Sequence, residues 1–394
     1  MLKSINLENF KVHKNTHIEV GALTILCGAN GSGKSSIIQS ILLMAQNGGF
    51  MQHFDIPFQL NGFLCRLGDA KDVLSLSAEN DKITFEFFAS TAVWECLSRI
   101  ELSAFDLTKD YLKFINFTVP TIKDVSGYDG NDFYNKRLPF DRKIVEMWNI
   151  GKGFHYLSSR RDFVYERKDS SFSVDGNFQL SISEGKGELI AQFLYVFGRA
   201  IKVPTSLLHE STQEDPFLLS QVSAWQQEFS KGVNVKPVYN GDTYEIKYSF
   251  NTALGQTEEF EKRNVGYGLS YSLPVVTALL ASPPGSLVII ENPDDHLHPT
   301  ATHKMSELIC KAAAAGIQII IETHNDHIIN GTLVNVKNGI IKPEDIRIYQ
   351  FERDEETQSA KATQIKVLDG GKIDKQPPGF FEQINKDLEQ IMGF

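Results

Sequence analysis

Hydrophobic and polar residues alternate at the start of the chain. Ile5, Leu7 and Phe10, then Ile18 and Val20, predict two short strands with a turn near His13 to Asn15. Leu23-Thr-Ile-Leu-Cys27 is an unbroken apolar run of strand length, which predicts a strand buried on both faces. Beyond Gly28 to Ser35 the period lengthens, and Ser36 to Met44 predicts a helix with an apolar face. Alternation returns in Lys82 to Phe88 and Ser98 to Ser103, followed by a loop-rich, aromatic stretch to about Lys152. Glu188 to Ala200 and Pro216 to Phe229 have helical spacing, and Val233 to Phe250 predicts a hairpin turning at Asn240-Gly-Asp242. From Asn264 to Tyr349, helical segments alternate with buried runs at Leu287 to Ile290, Ile317 to Ile321 and Ile346 to Phe351. That is the pattern of a parallel α/β sheet.

The simplest architecture is one α/β core made from both ends of the chain, residues 1–80 and 252–394. A middle insert, residues 81–251, carries strands, then helices and a hairpin. No heptad run is long enough for a coiled-coil arm. With 42% hydrophobic and 22% charged residues, the composition is globular. The net charge of −10 excludes a surface that attracts nucleic acid or anionic lipid everywhere, so any such contact must be a local patch. Cys27, Cys65, Cys96 and Cys310 form no C-x-x-C pair and read as reduced thiols of a cytoplasmic protein. The N-terminus lacks the apolar core of a secretory signal, and the longest apolar stretch, Leu269 to Ala281, is too short to span a membrane.

Gly28-Ala29-Asn30-Gly31-Ser32-Gly33-Lys34-Ser35 matches G-x-x-x-x-G-K-S between a strand and a helix, the context that this phosphate loop requires. Its backbone N–H groups, continuing through Ser36 into the helix N-terminus, suit phosphate oxygens. Lys34 is placed to bridge the β- and γ-phosphates and Ser35 to ligate Mg²⁺. Such a loop needs an acid at the end of a nearby strand, and Glu291, closing Leu287 to Ile290, is the candidate metal-side carboxylate. His324, after the buried run Ile317 to Ile321, is placed to sense the γ-phosphate. Asn264 to Pro274 sets Gly266, Gly268 and Ser270 before an apolar helix, a second anion-binding terminus.

In order, the phosphate loop, Asn264 to Pro274, the Glu291 strand, His296-Leu-His-Pro299 and Glu322-Thr-His324 resemble the ABC-type ATPase heads of the RecF, SMC and overcoming-lysogenisation-defect group. Glu291-Asn-Pro, Glu-Thr-His-x-Asp-His and a tail of Pro378-Gly-Phe-Phe-Glu-Gln383 with Lys386-Asp-Leu388 look more specifically like small stand-alone prokaryotic ATPases, many in antiphage defence operons. Tyr156-Leu-Ser-Ser-Arg160 and Leu219 to Trp225 also look like that family. The resemblance covers both ends well and the middle thinly. It implies a mixed-sheet α/β P-loop head binding ATP and Mg²⁺. Two copies would pair head to tail, each ATP lying between one phosphate loop and the Gly266, Gly268, Ser270 terminus of the other copy.

The sequence departs from most ABC ATPases at Asn292, where a second carboxylate normally positions or deprotonates the attacking water. An amide can only orient water, so slow hydrolysis is expected, with Asp294 or Asp295 as alternative bases. The resemblance places Lys11 near the adenine and suggests Gln59 for the Mg²⁺ shell. Histidines 296, 298 and 303 lack metal-site spacing and read as interface-loop residues. Arg160, Arg161, Arg167 and Lys168, near Lys152, are either a solvated surface or a DNA contact. No nuclease site is legible, so any nuclease effector is a separate chain. The expected function is a slow ATP-dependent switch regulating that effector in defence, with a RecF-like role in DNA repair as the alternative. A transporter subunit is disfavoured by the lack of a Leu-Ser-Gly-Gly-Gln string.

Overall fold

The computed structural model describes residues 1–48, 56–90, 94–118, 123–124, 153–161, 178–375 and 389–392. The apolar runs form a six-stranded sheet. Its members are β3 (Leu23–Gly28), β9 (Phe154–Leu157), β14 (Leu287–Glu291), β15 (Gln318–Glu322), β16 (Ile346–Arg353) and β17 (Ala360–Ile365). They lie in the order β17-β16-β3-β15-β14-β9, parallel except for the edge strand β17.

Both faces of this sheet are covered, which explains the unbroken apolar runs. Ile25, Val288, Ile290, Ile319 and Ile348 point into one core, shared with helices α2 (Ile190–Phe197), α3 (Leu218–Gln227), α4 (Tyr267–Ala281), α5 (Pro299–Ala314) and α6 (Asp326–Lys337). Leu26, Ile289, Ile320 and Phe351 point into the other core. There they meet α1 (Lys34–Asn47) and an antiparallel sheet of β1 (Leu2–Phe10), β2 (His13–Glu19), β4 (Phe58–Gln59), β5 (Lys82–Ser90), β6 (Trp94–Ser103), β7 (Tyr111–Thr118) and β8 (Lys123–Asp124). Helix α1, packed in the core that the two sheets share, is buried over most of its length. The predicted hairpin is β10 (Val233–Tyr239) with β11 (Tyr244–Thr252).

Strands β5 and β9, both from the middle of the chain, enter sheets begun by the N-terminal segment. The β1–β2 turn lies at Lys11-Val12, ahead of its predicted place, because Asn9 and Lys11 take positive φ and reverse the chain early. Among the described residues the longest helix has 16 residues, and no helix is long and apolar enough to cross a membrane. Cys27, Cys65 and Cys310 are buried free thiols.

Candidate functional site

Parallel strands place their C-terminal ends at one edge, where ligands of open α/β sheets bind. Here β3 opens into the phosphate loop at that edge, and α1 begins at Lys34. Gly28 has φ +129°, and a Cβ there would lie 2.2 Å from the Phe351 carbonyl oxygen, so only glycine fits. Gly33, at φ +108°, is pressed against Val12 and His13 of the β1–β2 turn. His13 Nε2 bonds the Gly33 carbonyl, and Thr16 bonds its Nδ1. Burial pushes the His13 ring down to about 4, so it is neutral, donating from Nε2 and accepting at Nδ1. The sequence reading missed His13, whose one signal was its position beside the reversal at Lys11.

The Lys34 ammonium is held by the Gly28 and Ala29 carbonyls at 3.0 and 2.7 Å, at the bottom of a cleft of about 530 Å³. Asn30, Gly31, Gly33, Ser35 and Ser36 line the cleft, as does Lys11, which donates to Gln39 at 2.7 Å. Ser32 is buried, and its backbone N–H closes the loop on Ala29. Lys71 and Arg353 add positive charge to the cleft that sequence reading did not single out.

Two carboxylates stand side by side, because Glu291 and Glu322 are register partners on β14 and β15. Glu322 Oε1 accepts from Ser35 Oγ at 3.0 Å and lies 3.8 Å from Lys34 Nζ. Burial and the charge of Glu291 hold the Glu322 carboxyl above its ordinary range, while Ser35 and Lys34 pull it down. Glu291 is engaged elsewhere: Tyr156 donates to its Oε1 at 2.9 Å and the Ser159 N–H to its Oε2 at 3.1 Å. Sequence reading gave Glu322 no role, although an acid closes each of the runs Leu287 to Ile290 and Ile317 to Ile321. Hydroxyl and carboxylate oxygens are the hard ligands Mg²⁺ takes, and the orphaned, buried Glu322 Oε2 fits a cation there.

His324 Nδ1 donates to the Gly28 carbonyl at 2.9 Å, so the ring caps the phosphate loop. Burial and the Lys34 charge lower its pKa. On its other side, Asn292, Asp294, Asp295, His296 and His327 line a second cleft of about 480 Å³. Asn292 takes φ +44°, and its N–H donates to the Glu322 carbonyl, tying the two strand ends together. Asp294 is buried and accepts from Thr323 at 3.1 Å, with its carboxyl raised by burial.

Three expectations are corrected. Arg161 is fully buried, and its guanidinium donates to the carbonyls of Ser158, Tyr271, Glu291 and Asn292, which leaves it nothing to offer DNA. Arg160 is exposed, while Lys152, Arg167 and Lys168 lie outside the described residues, as do Pro378 to Gln383 and Lys386 to Leu388. Ser270 is 1% exposed and turned into its own core, so of the second anion terminus only the first residues of α4 face outward. At Gly266 there is open space, and Gly268 lets α4 pack on the acidic loop, since a Cβ would lie 2.8 Å from the His296 carbonyl oxygen. Gln59 bonds Asn47 at the far end of α1, about 20 Å along the helix from Ser35, too far for the metal shell.

A family model described as "AAA domain, putative AbiEii toxin, Type IV TA system" matches residues 23–330, and one described as "Protein of unknown function (DUF3696)" matches residues 341–391. No curated protein matches the chain. Among solved structures, the Smc head domain with an extended coiled coil bound to the C-terminal domain of ScpA, derived from Pyrococcus furiosus, is similar at 12% identity and a TM-score of 0.52. That match covers 99% of each chain. The SmcHead bound to the C-winged helix domain of ScpA is similar at 12% identity and a TM-score of 0.51, over 93% of this chain and 98% of that one. These likenesses show an SMC head-like, ABC-type P-loop ATPase fold, without a long coiled coil among the described residues. With most of its length inside the first family model, the chain belongs to the family of ATPase domains described as "AAA domain, putative AbiEii toxin, Type IV TA system".

Proposed function

We propose that this protein binds ATP with Mg²⁺, hydrolyses it slowly to ADP and phosphate, and uses the cycle to regulate a separate effector, a nuclease, in prokaryotic antiphage defence. The observation that carries the nucleotide chemistry is the convergence of Lys34, Ser35, Glu291, Glu322 and His324 at one edge of a parallel sheet. Loop N–H groups and Lys34 would hold the phosphates, and Lys11, which lines the same cleft, would lie near the base. Ser35 and the strand-end acids would provide the site for Mg²⁺, which when bound would offset phosphate charge. Asn292 orients water, and His324 senses the γ-phosphate from above the loop. Asp294, buried and already bonded, is poorly placed to take a proton, which supports slow turnover.

Two copies close head to tail on ATP, with the outward-facing first turn of α4 from Gly266 and Gly268 meeting the other copy's nucleotide. Tyr267 there is 70% exposed, consistent with a contact surface. A separate protein partner is supported by the two similar Smc heads, each recorded bound to a domain of ScpA. Calorimetry of ATP binding in Mg²⁺ tests the site. Lys34→Ala should lose a charge-assisted hydrogen bond worth about 1.5–3 kcal/mol, a fall of about ten- to a hundredfold in affinity. Equal affinity of the variant and the native chain would contradict the reading.

A further inference from the structure

Of the two strand-end acids, Glu322 faces the phosphate loop, because β15 lies between β3 and β14. It sits one strand spacing from β3, and Glu291 two, about 5 and 10 Å. Both Glu291 oxygens are already bonded, to Tyr156 and Ser159. Glu322 Oε1 meets Ser35, whereas Oε2 is buried with no partner, in a residue only 6% exposed. A carboxylate oxygen kept dry and without a donor is costly, and such groups call for a specific explanation. Ser35 lies against it, the hydroxyl that a phosphate loop gives to the metal.

We propose that Glu322, together with Ser35, holds the divalent cation that accompanies ATP, and that Glu291 stands behind it as a carboxylate fixed by Tyr156 and Ser159. A cation held by these two residues would give Oε2 a partner and offset the charge of the neighbouring acids. The neighbouring Lys34, 3.8 Å away, is then released from Glu322 to the phosphates. Glu322 thus links metal and lysine, and the proposal rests on the ATPase reading above.

The test is calorimetric titration of ATP into the full chain, in EDTA and in Mg²⁺, for the native sequence and Glu322→Gln. The native chain should bind ATP more tightly with Mg²⁺ than without it. In Glu322→Gln that gain should fall by about 10- to 100-fold. Binding in EDTA should strengthen, because a negative charge beside the phosphates is gone. A part that merely props up the loop would not produce this pair of opposite changes. The proposal is overturned if Glu322→Gln keeps the full Mg²⁺ gain, or if it loses affinity in EDTA as well. A native chain that binds no ATP in either buffer contradicts the ATPase reading itself, an outcome distinct from both.

Discussion

His13 couples the stability of the phosphate loop to pH. In the fold its ring is neutral with a pKa near 4, whereas an exposed histidine titrates near 6.5. Between those values the unfolded chain binds a proton that the native state refuses. Its contribution is therefore complete above pH 6.5 and is lost as pH falls toward 4, at up to about 1.4 kcal/mol per pH unit. His155, also buried and lowered to about 4, acts in the same sense. Urea unfolding at pH 7.5, 6 and 5 should show the native chain weakening through this window. His13→Gln should have a shallower slope by about 1 kcal/mol per unit, and an unchanged slope would remove His13 from the account.

At the scale of elements, Arg161 joins three of them. Its guanidinium satisfies the carbonyls after β9, in the second turn of α4 and at the end of β14. Removing it strands buried acceptors, so Arg161→Ala should cost about 3–5 kcal/mol in denaturant unfolding. A loss below about 1 kcal/mol would mean that water reaches those carbonyls. The sequence made the elements around this residue legible, because buried strands and amphipathic helices have distinct periods: the phosphate loop with its strand and helix, and the two acid-ended runs. It did not reveal their order in the sheet. Chain order puts Glu291 first and leaves Glu322 inside a histidine motif, but β15 inserts beside β3 and reverses their distances from Ser35. Likewise Arg161 looked like a surface cation, because its four carbonyl partners are contributed by other segments, and no local pattern shows them.

For the whole molecule, the net charge is −10, and the burial of Arg161 removes one of the two described arginines offered for a DNA contact. In the proposed head-to-tail closure, helix dipoles facing a shared γ-phosphate would give two copies a reason to associate only when ATP is bound. Light scattering at micromolar protein should double the particle mass with Mg²⁺ and ATP, and Lys34→Ala should stay at the mass of one chain. One-chain mass under both conditions for the native protein would contradict head-to-tail closure.

The central claim is that this cleft turns over ATP. The measurement that tests it most directly is phosphate release from ATP by the purified chain in Mg²⁺, compared with Lys34→Ala. The account predicts steady release slower than about one per second, at the low end of enzyme turnover because Asn292 can orient water but take no proton, and none from the variant. Release that is absent from the native chain, or equal in the two proteins, would contradict it.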